Sequence, residues 1–271
     1  MFPEETMSQE LFENIVRQCV GNKHLHGVGF VLHNEPLTDP TLFDKIRYFR
    51  DRVNTSAMTF IVTNGTLLSD ETADELLKSG LDAMHISCNG FGREDFEAIN
   101  QGKSWDVFIQ NLENFLSRDL SRISVMISIV RSNLYREEQD KAIKYWRSRG
   151  IRCFMHGINN RGGLVEDYEQ YVLPVDKEKI HIRLRKRMVK GILKCCPYPF
   201  LQMSILASGK CLICTHDWGR RQMIGDLNNQ SIIDVWNGPK MRELRLLHLQ
   251  GRSREIPACA QCDVFSNVTF G

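Results

Sequence analysis

Between residues 8 and 156, short apolar runs alternate with amphipathic helical patterns, and that alternation leaves few folds open. Ser8 stands where a helix N-cap belongs, ahead of Leu11, Ile15, Val16 and Cys19 at helical spacing. Residues 28–32 form a short apolar run closed by His33-Asn34-Glu35-Pro36, and a helix over 40–52 follows. Residues 59–62 and 83–86 read as strands closed by Thr63-Asn64-Gly65 and Ser87-Cys88-Asn89-Gly90. Between them Ser69 caps a helix that Gly80 ends. Residues 105–116 and 137–149 read as helices, 123–130 and 153–155 as strands. Short strands joined by helices pair in parallel through right-handed crossovers. The pattern predicts an α/β fold of five parallel strands curling into an open or closed barrel. Functional side chains of such a fold belong at the C-terminal strand ends.

Composition narrows the function. A chain of 271 residues that is 42% apolar can bury one large domain and a smaller one. With 35 basic and 33 acidic residues, its net charge of +2 offers no field for nucleic acid or an anionic membrane. No apolar run approaches the roughly 20 residues of a membrane-spanning helix, and the first nine residues carry no signal-peptide core. A cytoplasmic location is expected.

Nine cysteines in a reducing compartment do not read as a disulfide framework. Cys19, Cys88 and Cys153 lie in apolar stretches and read as small buried hydrophobes. The other six crowd into Cys195-Cys196, Cys211-x-x-Cys214 and Cys259-x-x-Cys262. A hairpin of strands over 201–206 and 210–214, turning at Ser208-Gly209, brings Cys196 and Cys214 towards one end. Helices over 231–236 and 240–249 precede the last pair. Four thiolates suit zinc or an iron–sulfur cluster, and spacing does not choose between them. Cys211 and one of the adjacent Cys195 and Cys196 are spare. Residues 157–194 hold Asn159-Asn160-Arg161-Gly162-Gly163, an acidic patch and a basic run over 181–194, which reads as a linker with a solvated helix face. The expected division is a barrel over 1–156, a linker over 157–194 and a cysteine-rich domain over 195–271.

In their order along the chain, these motifs resemble the radical S-adenosylmethionine (radical SAM) superfamily. His33-Asn34-Glu35-Pro36 stands in the place of a Gly-Gly-Glu-Pro motif that binds the methionine amino group, with both glycines replaced. Thr63-Asn64-Gly65 resembles the family's Thr-Asn-Gly segment, and Ile86-Ser87-Cys88-Asn89-Gly90 its Ile-Ser-Leu-Asp-Gly segment. Ser128 and Arg131 match positions at the end of the next strand. The implied cofactor-binding set is Asn34, Glu35, Pro36, Thr63, Asn64, Ser87, Asn89, Ser128 and Arg131. The C-terminal part resembles a SPASM or shortened SPASM domain, on Cys196, Gly209 and Cys214 and on Ile224-Gly225-Asp226-Leu227, Ser231-Ile232 and Val235-Trp236. The resemblance implies one auxiliary four-iron four-sulfur cluster on Cys196, Cys214, Cys259 and Cys262, and tips the choice away from zinc. The implied fold is a partial (β/α)6 TIM-like barrel lacking its first strand, with a small SPASM-like domain.

The implied activity is that of an oxidoreductase. S-adenosylmethionine is cleaved reductively to a 5′-deoxyadenosyl radical, which abstracts hydrogen from a peptide, sugar or nucleoside-like substrate. Flavodoxin or ferredoxin would supply the electron. The family's radical cluster needs C-x-x-x-C-x-x-C, and none occurs in these residues. The expectation is a fragment, inactive as written. Two other readings remain: a non-catalytic metal-stabilised binding module, and a zinc-binding barrel protein without radical chemistry.

Overall fold

Five strands pair in chain order, all parallel, in a computed structural model that describes residues 5–53, 56–100, 102–131, 133, 136–172 and 195–264. They are β1 (Gly27–Gly29), β2 (Met58–Thr63), β3 (Ala83–Ser87), β4 (Ser124–Arg131) and β5 (Arg152–Gly157). The register sets Thr63 beside Ile86, Ser87 beside Ser128, and Arg131 beside Gly157. Parallel neighbours need crossovers, and helices α2 (Leu42–Arg52), α3 (Asp70–Lys78), α4 (Arg93–Ile99), α5 (Trp105–Leu116) and α6 (Arg136–Ser148) lie between the strands in sequence. The fold class agrees with the sequence reading, and the α/β sheet is that of a partial TIM-like barrel.

The apolar spacing explains which face is covered. Ile61, Met84, Ile86, Ile127 and Ile129 point into one core with Ile46, Leu76, Phe108, Leu112, Phe115 and Trp146 from the helices. Side chains alternate across a strand, so Phe60, His85, Phe154 and His156 fall on the other face. Their rings follow one another at centroid separations of 6.3, 6.3 and 5.7 Å. Gly29 lies under this row. A Cβ there would stand 2.6 Å from the Phe60 ring, which is why β1 carries a glycine opposite that residue.

The chain divides into two compact units, Cys19–Gly157 and Met1–Gln18 with Ile158–Gly271. This differs from the boundaries read in the sequence. Helix α1 (Gln9–Cys19), read there as part of the barrel, sends Leu11 into a core of Cys211, Ile213, Ile224, Leu227, Val235 and Met241. The Ser8 hydroxyl does cap it, accepting from Leu11 N at 3.3 Å. That second unit holds a three-stranded antiparallel sheet of β6 (Ser204–Ile205), β7 (Lys210–Leu212) and β8 (Met223–Asp226). The strand expected over 201–206 is shorter, because Tyr198–Leu201 makes a helical turn with Pro199 in its first turn. Gly209, at φ +87°, turns the hairpin as expected. The basic run over 181–194 lies outside the described residues. No helix among those described is long and apolar enough to cross a membrane.

Candidate functional site

At the C-terminal edge of the sheet, Glu35 joins two strand ends. Its Oε1 accepts from the Leu37 backbone N–H at 3.2 Å and the Thr63 hydroxyl at 2.6 Å, and its Oε2 accepts from Asn64 N–H at 2.8 Å. The Thr63 oxygen in turn accepts from Gly65 N–H at 3.0 Å, and Asn64 Oδ1 closes a local turn on Thr66 at 2.9 Å. Pro36 is buried and opens the 3-10 turn Pro36–Thr38; Asn34 beside it is exposed. The carboxylate therefore fastens the loop after β1 to the end of β2. A carboxylate offers about four acceptor sites, so a ligand ammonium would find one left, on Oε2.

A second network sits one strand further on. Asn89 Nδ2 donates to the Ser87 hydroxyl at 3.0 Å while its Oδ1 accepts from Val130 N–H at 3.3 Å. Ser128 is buried on β4, and its carbonyl accepts from Cys88 N–H at 3.0 Å. Arg131 ends β4, half-buried. Gly90 at φ +81° packs against α4; a Cβ would lie 2.8 Å from Phe96 N. Cys88 is 1% exposed, its thiol pushed up to about 12 by burial, and it belongs to the core.

In the other unit the structure gathers thiols. Burial pushes Cys196 up to about 12, and the nearby Cys214, Cys262 and Cys195 push the same way. Cys214 rises to about 11 by burial, with Cys262 adding to it. Cys259 is raised by burial and then by Cys214, Cys262 and Cys196. Each thiol of the predicted set is thus within electrostatic reach of the others. Backbone N–H groups already face two of the sulfurs: that of Tyr198 at Cys196, and those of His216 and Asp217 at Cys214. Such donors stabilise thiolates, as iron–sulfur ligation requires. Among the described residues no three His, Cys, Asp or Glu side chains are placed to hold a single metal ion. Cys211 is fully buried in the core, with its Sγ 3.7 Å from the Gly209 carbonyl.

The family profile described as the radical SAM superfamily matches residues 1–145, more than half of the chain. The chain belongs to the radical SAM superfamily. A second profile, the SPASM iron–sulfur cluster-binding domain, matches residues 195–263. Among solved structures, the chain is similar to anSMEcpe with bound AdoMet, at 15% identity and TM-score 0.69, over 96% of this chain and 83% of that one. It is similar to BtrN in complex with AdoMet and 2-DOIA, at 15% identity and TM-score 0.58, over 95% and 80% of the two chains. It is also similar to Streptococcus suis SuiB bound to S-adenosylmethionine, at 17% identity and TM-score 0.65, over 90% of this chain and 62% of that one. These likenesses concern the fold. A comparison with curated proteins finds no match. S-adenosylmethionine and iron–sulfur clusters are the cofactors of this superfamily and its SPASM domain, and the thiol-and-donor set fits a cluster.

Within this radical SAM chain, Glu35, Thr63 and Asn64 form one network and Ser87, Asn89 and the end of β4 another. Sequence reasoning missed the loop Asn159-Asn160-Arg161-Gly162-Gly163 as anything but linker. The Asp263 carboxylate accepts from Asn160 N–H at 3.2 Å, Asn160 Nδ2 reaches the Gln261 carbonyl, and Arg221 donates to the Gly162 carbonyl at 3.1 Å. A Cβ on Gly163 would strike Gln261 at 2.2 Å. The loop is therefore knitted to Cys259-x-x-Cys262. The paired glycines were the available signal, since both hold positive φ.

Proposed function

We propose that this chain is the cofactor-holding barrel and auxiliary-cluster domain of a radical SAM enzyme acting on a peptide. The Glu35–Thr63–Asn64 network at the strand ends carries the reading, because it rigidly builds the edge where the family's motifs meet the cofactor. S-adenosylmethionine, held there beside a site-differentiated iron–sulfur cluster, would supply one-electron radical chemistry able to take a hydrogen atom from substrate carbon. The chain's own residues position and shield. Glu35 holds the Asn64 and Leu37 backbone in place and keeps one acceptor for an ammonium. Asn89 orients the Ser87 hydroxyl towards a ribose or carboxylate. Phe60, His85 and Phe154 give the sheet face opposite the core a partly apolar surface that would lower water access to the substrate. In the second unit, Cys196, Cys214, Cys259 and Cys262 hold one auxiliary cluster. A peptide is favoured as substrate because anSMEcpe was solved with a Cp18Cys peptide and SuiB with the precursor peptide SuiA.

Saturation-transfer NMR with S-adenosylmethionine tests the cofactor site, since it detects weak binding. Adenosine and methionine protons should receive saturation from the wild-type chain and lose it in Glu35→Ala. Equal transfer in both would remove Glu35 from the site.

A further inference from the structure

In the last turn of the helix Pro239–Leu249, Leu246 and Leu249 are exposed while the one polar side chain, His248, is turned inward. The residue is 3% exposed. Its Nε2 lies 3.8 Å from the Sγ of Cys259, within hydrogen-bond reach for sulfur. Among the described residues its Nδ1 has no partner. A histidine on an amphipathic helix is ordinarily free to face water; this one is turned inward, with the sulfur beside Nε2 and nothing for Nδ1. As a cluster ligand Cys259 would be a thiolate, which accepts and cannot donate, so the proton would belong on Nε2. The Cys196 and Cys214 sulfurs draw donors from the backbone of Tyr198, His216 and Asp217. At Cys259 a side chain fills that role.

We propose that His248 is a positioning residue for the auxiliary cluster, donating its Nε2–H to the Cys259 sulfur and thereby setting the cluster's reduction potential. The inference rests on the reading of Cys259 as a ligand. One-electron reduction adds negative charge to the iron–sulfur unit, part of it on the thiolate sulfurs. A hydrogen bond to such a sulfur stabilises the reduced state more than the oxidised one and raises the potential. The SPASM profile covers His248 within residues 195–263 but assigns it no role. The buried position matters as well, because a donor shielded from water keeps its strength in a low dielectric.

The test uses the full chain, reconstituted with iron and sulfide without air, in wild-type form and as His248→Leu and His248→Gln. Iron and sulfide per chain are counted, and the midpoint potential is read by EPR-monitored titration. His248→Leu, which keeps the volume and removes the donor, should shift the potential to more negative values at unchanged iron content. His248→Gln, whose amide N–H still points along the same path, should shift it less. A His248→Leu cluster at the wild-type potential would overturn the inference. Should that variant lose its cluster, the wild-type protein still decides. With histidine labelled with 15N in the ring only, pulsed EPR of the reduced cluster should show a weak nitrogen coupling that disappears in His248→Gln. No such coupling in the wild-type cluster overturns the proposal. A wild-type chain that takes up no iron–sulfur cluster, or a Cys259→Ser chain with unaltered iron content and EPR signal, overturns the ligand reading beneath it.

Discussion

Three donors converge on the Glu35 carboxylate, and none of its acceptor work can be done by an amide nitrogen. Glu35→Gln should therefore weaken S-adenosylmethionine binding about as much as Glu35→Ala, although it keeps shape and size. Matching saturation transfer for Gln and wild type would mean that the charge and the second oxygen are dispensable. The motif letters located Glu35 at a strand end. They did not reveal Thr63 and Asn64 as its partners, because that pairing depends on which strand lies beside β1 in space. His248 was illegible for the same reason: its sulfur partner is eleven residues away across a turn. Asp95 shows the opposite case, a buried charge with no evident use. It is 7% exposed, its Oδ2 has no partner among the described residues, and its carboxyl is raised by burial, then by Glu138 and Glu94. A raised folded-state pKa means that the folded protein keeps a proton the unfolded chain loses, so stability falls as pH rises above 3.8 and through the folded value. Asp95→Asn should raise the Tm at pH 7, and the gain should vanish below pH 3.8. A gain of the same size at both ends would point to packing instead of charge.

At the scale of elements, the legible parts were those with a clean apolar period. Helix α5 falls at residues 105–116 as predicted, since Phe108, Leu112 and Phe115 recur at helical spacing and are all buried. Helix α4 was missed: its seven residues include Arg93, Glu94, Asp95 and Glu97, leaving too little apolar pattern to read. β8 was seen as a motif and not as a strand, because a glycine interrupts Met223–Asp226 and gives it little strand propensity. The α4–α5 contact is built on aromatic rings, with Phe96 stacked on Phe108 at 4.5 Å and packed edge-on to Trp105 at 5.5 Å. Phe108→Ala should cost about 3–5 kcal/mol in urea unfolding, since Phe108 is only 1% exposed. A loss under about 1 kcal/mol would mean that the surrounding rings collapse into the space.

For the whole molecule, the sequence motifs separate a strand–helix part from a cysteine-rich part but do not say where the first helix belongs. An amphipathic stripe on α1 states that something must cover it and is silent about what; Leu11 finds its cover among Ile213, Ile224 and Met241. The four cysteines proposed as ligands are conspicuous in the sequence because thiols are few and paired. Their donors were not, since backbone N–H groups have no sequence signature. The 271 residues contain no C-x-x-x-C-x-x-C, and a cluster held by four thiolates offers no open iron for S-adenosylmethionine. Incubated with dithionite and its auxiliary cluster filled, this chain should form no 5′-deoxyadenosine by chromatography. Turnover would mean that another cysteine set holds a site-differentiated cluster.

The auxiliary centre is the part of the molecule most open to direct measurement. Mössbauer spectroscopy of the chain reconstituted with 57Fe, alongside zinc analysis, reads it. One four-iron four-sulfur cluster per chain is predicted, with the cluster lost or altered in the Cys196, Cys214, Cys259 and Cys262 to serine variants and retained in Cys211→Ser. A colourless chain holding one zinc, or a cluster indifferent to those four substitutions, would contradict it.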